Sequence, residues 1–209
     1  MPRDLRTADI TGDGHLDLVT ANISTNDVSV WRGTGAGTFS PGGNYPAQAG
    51  PGTAVQPRSL AFADFNLDGK LDLVTANTIT NNLSILIGNG AGAFSPPIFV
   101  ATGGSSAQMV NVGDFNLDGF PDAVVANANS NNISLILGVA HGFAAPVTIP
   151  TNVSTYAAVF ADLSGDGLPD IVTNSPTGFQ VFVGNGLGAT APFPTIHSPD
   201  THTNFPSPT

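Results

Sequence analysis

The chain contains no cysteine and no glutamate. The first absence removes disulfide and thiolate chemistry and leaves the redox compartment open. The second makes every acidic residue an aspartate. Positive charge is scarce too: Arg3, Arg6, Arg32, Arg58 and Lys70 stand against a formal net charge of −10. A nucleic-acid ligand needs a cationic surface facing its phosphates, so the composition argues against that class of partner. No apolar run is long enough to cross a bilayer. The opening residues, Met1 to Arg6, carry no apolar leader region. No helical period runs through the chain.

What is present is the chemistry of strands and turns. The 25 glycines and 17 prolines imply many turns, and a hydrophobic share of 41% is enough for a buried core. Val, Ile and Thr recur throughout, which favours strands over helices.

The aspartates are not scattered. Twelve of the fifteen fall in four copies of one nine-residue loop: Asp9 to Asp17, Asp64 to Asp72, Asp114 to Asp122 and Asp162 to Asp170. Each copy has Asp at positions 1, 5 and 9 and Gly at position 6. Position 3 is a short oxygen-bearing side chain: Thr11, Asn66, Asn116 or Ser164. Hard oxygen donors around a sharp turn suit calcium. A single copy would pass as an Asx turn closing a hairpin. Four copies, each with three carboxylates in nine residues, repel themselves without a cation. Four divalent ions would bring the formal charge from −10 to −2. An EF-hand is excluded, because its position-12 Glu is replaced by Thr20, Thr75, Val125 and Thr173. Magnesium prefers fewer protein ligands and stricter geometry.

The copies begin at residues 9, 64, 114 and 162, a period near fifty that marks a repeat protein. Each unit runs in the same order. A short apolar stretch precedes the loop. A second apolar run follows and ends at Asn22, Asn77, Asn127 or Asn174. A polar turn, around Asn26, Asn81 and Asn131 in the first three units, leads to a third run: Val28–Trp31, Leu83–Ile87, Ile133–Leu137 and Phe179–Val183. This run stops at Gly33, Gly88, Gly138 or Gly184. A weaker fourth strand is expected at segments such as Ile98–Ala101, Val147–Ile149 and Ala191–Ile196. Four short strands per unit with tight turns predict an all-β fold, a β-propeller built of four blades of four antiparallel strands. It would be a closed four-blade ring, or half of a larger or dimeric propeller. The expected domain is 1–196, with repeats near 1–54, 55–105, 106–153 and 154–196. A Pro/Ser/Thr-rich tail covers 197–209.

The run from Asp64 through Asn77 (Asp-Phe-Asn-Leu-Asp-Gly-Lys-Leu-Asp-Leu-Val-Thr-Ala-Asn), with Asn82 to Phe94 after it, resembles the FG-GAP or VCBS repeat family of integrin-α-type propellers. The resemblance reaches to about residue 188. It implies calcium in the loop between the first and second strands of each blade. It implies a secreted or cell-surface setting, and adhesive, lectin-like or other ligand-binding roles more than catalysis. On that pattern the ligands are Asp9, Thr11, Asp13, the His15 carbonyl and Asp17; then Asp64, Asn66, Asp68, the Lys70 carbonyl and Asp72. The third set is Asp114, Asn116, Asp118, the Phe120 carbonyl and Asp122. The fourth is Asp162, Ser164, Asp166, the Leu168 carbonyl and Asp170. Thr11 and Ser164 depart from the Asn or Asp usual at position 3, so their sites are expected to be weaker.

The remaining candidates carry less. Trp31 aligns with Leu86, Ile136 and Phe182, which predicts a blade-packing role. His15, His141, His197 and His202 read as surface residues. Asn22, Asn82, Asn132 and Asn152 begin Asn-X-Ser sequences but read as turn residues. Asp4, Asp27 and Asp200 are the carboxylates left outside the loops, and they form no paired constellation for glycoside hydrolysis. The expected function is therefore a calcium-stabilised extracellular module for a glycan or protein ligand, as a homodimer or with further blades. Its rivals are a polysaccharide-active enzyme or accessory domain, and a structural spacer.

Overall fold

A computed structural model describes residues 1–50, 52–140, 142–151, 153–176, 178–186 and 195–197. It contains strands and no helix among these residues. The first sheet is formed by β1 (Pro2–Ala8), β2 (Asp17–Asn22), β3 (Asp27–Gly33) and β4 (Phe39–Pro46). The second holds β5 (Pro57–Ala63), β6 (Asp72–Asn77), β7 (Asn82–Leu86) and β8 (Ile98–Ala101). The third holds β9 (Ala107–Gly113), β10 (Asp122–Asn127), β11 (Asn132–Ile136) and, after the small hairpin β12 (Gly138–Val139) and β13 (Gly142–Phe143), β14 (Val147–Pro150). The fourth holds β15 (Ala158–Ala161), β16 (Asp170–Ser175), β17 (Gly178–Phe182) and β18 (Thr195–His197). All four sheets are antiparallel meanders with neighbours in chain order. The expected outer strand at Ala191–Ile196 overlaps β18 at residues 195–196, and residues 191–194 lie outside the described residues; of the expected tail at 197–209 only His197 is described, and it ends β18 instead of starting a tail.

Each sheet has a front, facing the preceding sheet, and a back, facing the next. Side chains alternate between the two because a strand has period two. Three core clusters follow. Val19, Ala21, Val28 and Val30 on the back of the first sheet meet Leu60, Leu73 and Leu86 on the front of the second. Val74, Ala76, Leu83 and Ile85 meet Val110, Ala123 and Ile136. Val124, Ala126, Ile133 and Leu135 meet Ala158, Ile171 and Phe182. The second residue of the first three Asp loops enters these seams as well: Ile10 and Phe115 are buried in the first and third, and Phe65 packs against the second. Strands β6 and β10 are buried on both faces, whereas β2 alternates between buried and half-buried. Two-sided burial suits the continuously apolar reading of these two runs.

Side chains also link the inner strands. The Leu60 N–H donates to Asp4 Oδ2 at 3.0 Å, and the Phe160 N–H donates to Asn111 Oδ1 at 3.1 Å. Asp4, one of the carboxylates outside the loops, thus joins the first sheet to the second. Asp27 is likewise engaged, accepting from Asn22 Nδ2 at 2.9 Å and from the Thr25 hydroxyl at 2.6 Å. Asp200 lies outside the described residues.

Two expectations need correction. Asn174 does not take the place of Asn22, Asn77 and Asn127. It pairs with Phe179, as Ala21 pairs with Val28, and the turn closes one step later at Ser175 and Gly178. The fourth hairpin is therefore shorter than the others. Trp31 does sit in register with Leu86, Ile136 and Phe182, opposite Leu18. Yet it is 42% exposed while Leu86 and Ile136 are fully buried, because no described sheet covers the front of the first one.

Candidate metal loops and ligand cleft

Each Asp loop joins the first strand of its sheet to the second. Position 1 gathers the backbone N–H groups of the turn. Asp9 accepts from Gly12 at 2.7 Å and Gly14 at 2.9 Å, and Asp64 accepts from Asp68 at 3.0 Å and Gly69 at 2.7 Å. Asp114 and Asp162 repeat the pattern with Gly119 and Gly167. Position 5 accepts from the N–H of position 7: Asp13 from His15, Asp68 from Lys70, Asp118 from Phe120 and Asp166 from Leu168. Asn66 and Asn116 at position 3 accept from the same Asp68 and Asp118 amides. The Thr11 hydroxyl lies 3.4 Å from Asp9 Oδ1 and 3.3 Å from Asp17 Oδ2. At position 3 of the fourth loop, the Ser164 N–H donates to Asp170 at 3.0 Å. Position 6 holds Gly69 and Gly119 at φ +83° and +88°, a region L side chains avoid.

Position 9 does something its sequence pattern does not announce. Asp17, Asp72, Asp122 and Asp170 are fully buried. One oxygen of each accepts the N–H of position 2, from Ile10, Phe65, Phe115 and Leu163. The other accepts the N–H of the glycine after the third run: Gly33, Gly88 and Gly184 at 2.8 Å and Gly138 at 2.7 Å. These carboxylates clasp the loop to the end of the third strand. The glycine is required because a Cβ there would collide with the carbonyl oxygen of Leu16, Leu71, Pro121 or Pro169. The repeated spacing from the loop to this Gly was the one sequence signal of the clasp.

Burial sets the electrostatics. It pushes the Asp122 carboxyl up to about 6, against the N–H bonds from Gly138, Phe115 and Asn116. Burial also raises Asp72, and the charges of Asp64 and Asp68 add to the rise. Asp9 is held below the usual carboxylate range, first by the Gly14 N–H.

Among the described residues no three histidine or aspartate side chains converge into a ready metal group. The donor chemistry of each loop fits a hard cation all the same. A carboxylate has about four lone-pair sites, and the N–H donors take only part of them. A divalent ion would also offset the repulsion from Asp64 and Asp68 that adds to the burial-driven rise of Asp72.

A second feature lies away from the loops. A cleft of about 700 Å³ opens between the outer strands of the first two sheets. Tyr45 and Pro46 of β4, Gln48, Phe94 and Pro97 of the stretch before β8, and Phe99 of β8 line it. Tyr45 and Phe94 meet edge to face at 5.4 Å, and the Tyr45 hydroxyl reaches the Gly92 carbonyl at 3.2 Å. Phe99 stays 38% exposed. The Gln48 amide oxygen is buried without a hydrogen-bond donor. One wall comes from Gln48, Ala49 and Gly50, in the linker after β4. Asn26, at φ +57°, pins that linker by accepting from the Val55 and Gln56 N–H groups at 2.9 Å.

The FG-GAP-like repeat model matches residues 9–75, 64–125 and 114–173. The chain belongs to the FG-GAP-like repeat family. These matches run from loop to loop, so the aspartates delimit the family's own unit. No curated protein sequence matches the chain. Among solved structures, an Agrocybe aegerita lectin, described as recognising non-reducing terminal N-acetylglucosamine, is similar at a TM-score of 0.60 and 21% identity. The alignment covers 90% of this chain and 50% of the lectin. BBS1N, solved in complex with ARL6DN and soaked with mercury, is similar at a TM-score of 0.60 and 13% identity, over 92% of this chain and 57% of that one. Such identities show the fold alone: a β-propeller-like FG-GAP architecture. The chain spans about half the length of these structures.

Proposed function

We propose that the chain is a calcium-stabilised, propeller-type recognition module of a secreted or cell-surface protein, and that its ligand is a glycan. The observation that carries the ligand reading is the outer cleft. Its volume falls within the range of small-molecule sites, and its lining is apolar and aromatic with few polar groups. The exposed Phe99 ring offers a flat apolar face, and the buried Gln48 oxygen lacks a donor. A sugar supplies both complements: a C–H face for the ring and hydroxyl or acetamido donors for the amide. An unsatisfied buried acceptor costs about 1–3 kcal/mol, so a ligand that donates to it recovers that penalty.

The calcium reading rests on the donor set of the loops and on the repulsion among their carboxylates. The four ions would be structural, held by the loop residues named above, with their side chains and the position-7 carbonyls as donors. The extracellular setting rests on family resemblance.

A glycan array with the full chain in calcium, followed by titration calorimetry, tests the ligand. Phe99→Ala and Gln48→Ala should each weaken binding at least about tenfold while leaving the melting temperature within a few degrees. No binding to any glycan, or binding only to a protein surface, would overturn the glycan assignment.

A further inference from the structure

Three of the chain's five cationic residues meet in one place. Arg3, Arg6 and Arg58 line a cavity of about 220 Å³ together with Asp4, Gln108 and Tyr156. All four repeats contribute to it, and each does so from the same position. Arg3, Arg58, Gln108 and Tyr156 stand six residues before the first aspartate of their loops, Asp9, Asp64, Asp114 and Asp162. That position opens β1, β5 and β9 and shortly precedes β15. These first strands are neighbours in series, β1 beside β5, β5 beside β9 and β9 beside β15. The cavity therefore sits where the four repeats converge, at the ends of the first strands farthest from the Asp loops. It shares no lining residue with the outer cleft and does not rest on the glycan assignment.

The charge at this point is unbalanced. Asp4 is the one carboxylate among the described lining residues, and it is already engaged. It accepts from Arg6 Nε at 3.4 Å and from the Leu60 N–H at 3.0 Å. Among the described residues no carboxylate lies within ion-pair distance of Arg3 or Arg58. Burial, and then the Arg3 charge beside it, hold the Arg58 guanidinium below its usual range. Two uncompensated guanidinium groups at one point attract an anion, even in a protein whose formal net charge is −10. We propose that this cavity binds a small oxyanion group, a carboxylate or a sulfate, between Arg3 and Arg58. The planar guanidinium fork matches the paired oxygens of such a group. Tyr156, 48% exposed, brings a hydroxyl donor to the same cavity. Gln108, whose amide donates to Ser106 Oγ at 2.7 Å, forms part of the wall. The volume lies below the roughly 300 Å³ at which small-molecule sites begin, so the cavity takes a single acidic group or one acidic sugar ring rather than an extended ligand.

Titration calorimetry on the full chain, in calcium and at constant ionic strength, tests this with three probes: glucuronate, sulfate and neutral glucose. Saturable binding of at least one anion is expected, with none of glucose in the same cavity. A preference for glucuronate assigns the group as a carboxylate, and a preference for sulfate assigns it as a sulfate. Arg3→Met and Arg58→Met keep an apolar stem and remove the charge. Each should stay folded by circular dichroism and weaken anion binding at least about tenfold. Arg32→Met, which removes a cation outside the cavity, should leave anion binding unchanged. The proposal is overturned if neither anion binds, if binding survives in both Arg3→Met and Arg58→Met, or if Arg32→Met weakens it as much.

Discussion

The Asp72 carboxylate accepts the N–H of Gly88, sixteen residues along the chain, at 2.8 Å. Its other oxygen accepts the Phe65 N–H at 2.9 Å. Removing the carboxylate leaves two inner N–H groups without acceptors, each costing about 1–3 kcal/mol. Asp72→Ala should therefore destabilise the protein by about 3–5 kcal/mol in denaturant titrations. The loss should be present with and without calcium. A loss confined to calcium buffer would mean that Asp72 acts only as a metal ligand.

The same clasp makes Gly88 irreplaceable on steric grounds. A Cβ would strike the Leu71 carbonyl oxygen, which is backbone and cannot rotate away. Gly88→Ala should cost about 3 kcal/mol by overpacking. Gly50→Ala, where a Cβ meets nothing within 4 Å, serves as the neutral comparison. Equal melting temperatures for the two variants would contradict the clasp.

Calcium dependence should separate position 5 from position 9. Asp68 lies on the exposed part of its loop, accepting from Lys70. Asp68→Ala should leave stability in EDTA within about 0.5 kcal/mol of the parent, as for an exposed change. It should lower the extra stability gained on adding calcium. The check is a pair of thermal melts per protein, with EDTA and with excess calcium. An unchanged melting temperature for the parent on chelation would remove the calcium reading altogether.

Much of this was legible in the sequence because it is local. The loops recur at a period near fifty, the apolar runs mark strands, and Asn26 and Asn81 mark hairpins, all read from short windows. Only the recurring distance from each loop to its glycine pointed to the clasp, because Asp72 and Gly88 meet only after the hairpin folds. The shorter fourth hairpin was hidden because Asn174 mimics Asn77 in sequence while Ser175 closes the turn. The exposure of Trp31 depends on a neighbouring sheet, which no window around Trp31 contains. The cleft brings Tyr45 and Gln48 together with Phe94 and Phe99, which no short window contains.

Burial gives a pH signature. The Asp122 carboxyl is raised to about 6 in the fold, from a usual value near ~3.9 when unfolded. The native state then binds the proton more tightly. Without calcium, this group's contribution is full below about pH 4 and is lost as pH rises through 6. With calcium the sign reverses, since protons compete with the ion and stability rises with pH. Asp122→Asn should flatten both trends. Melting curves from pH 4 to 8 in EDTA and in calcium are the measurement, and parallel curves would refute the assignment.

Backbone strain supplies an independent check. Leu67 and Leu117 sit at φ +56° and +59°, where the first and fourth loops use Gly12 and Gly165. A left-handed L residue costs roughly 1–2 kcal/mol, partly offset by the greater unfolded-state freedom of glycine. Leu67→Gly should raise stability by up to about 1 kcal/mol, and Gly12→Leu should lower it by a similar amount. A destabilised Leu67→Gly protein would show that the exposed Leu67 side chain packs in solution.

Both ends of every clasp belong to one unit, whereas each core cluster is shared by two. A duplicated unit therefore brings its own latch but cannot hide its own oil. Cohesion is that of a stack of plates, strongest in the middle and weakest at the outermost members. Amide exchange should map this gradient: slowest along β6 and β10, which have neighbours on both sides, and fastest in β1 and β17.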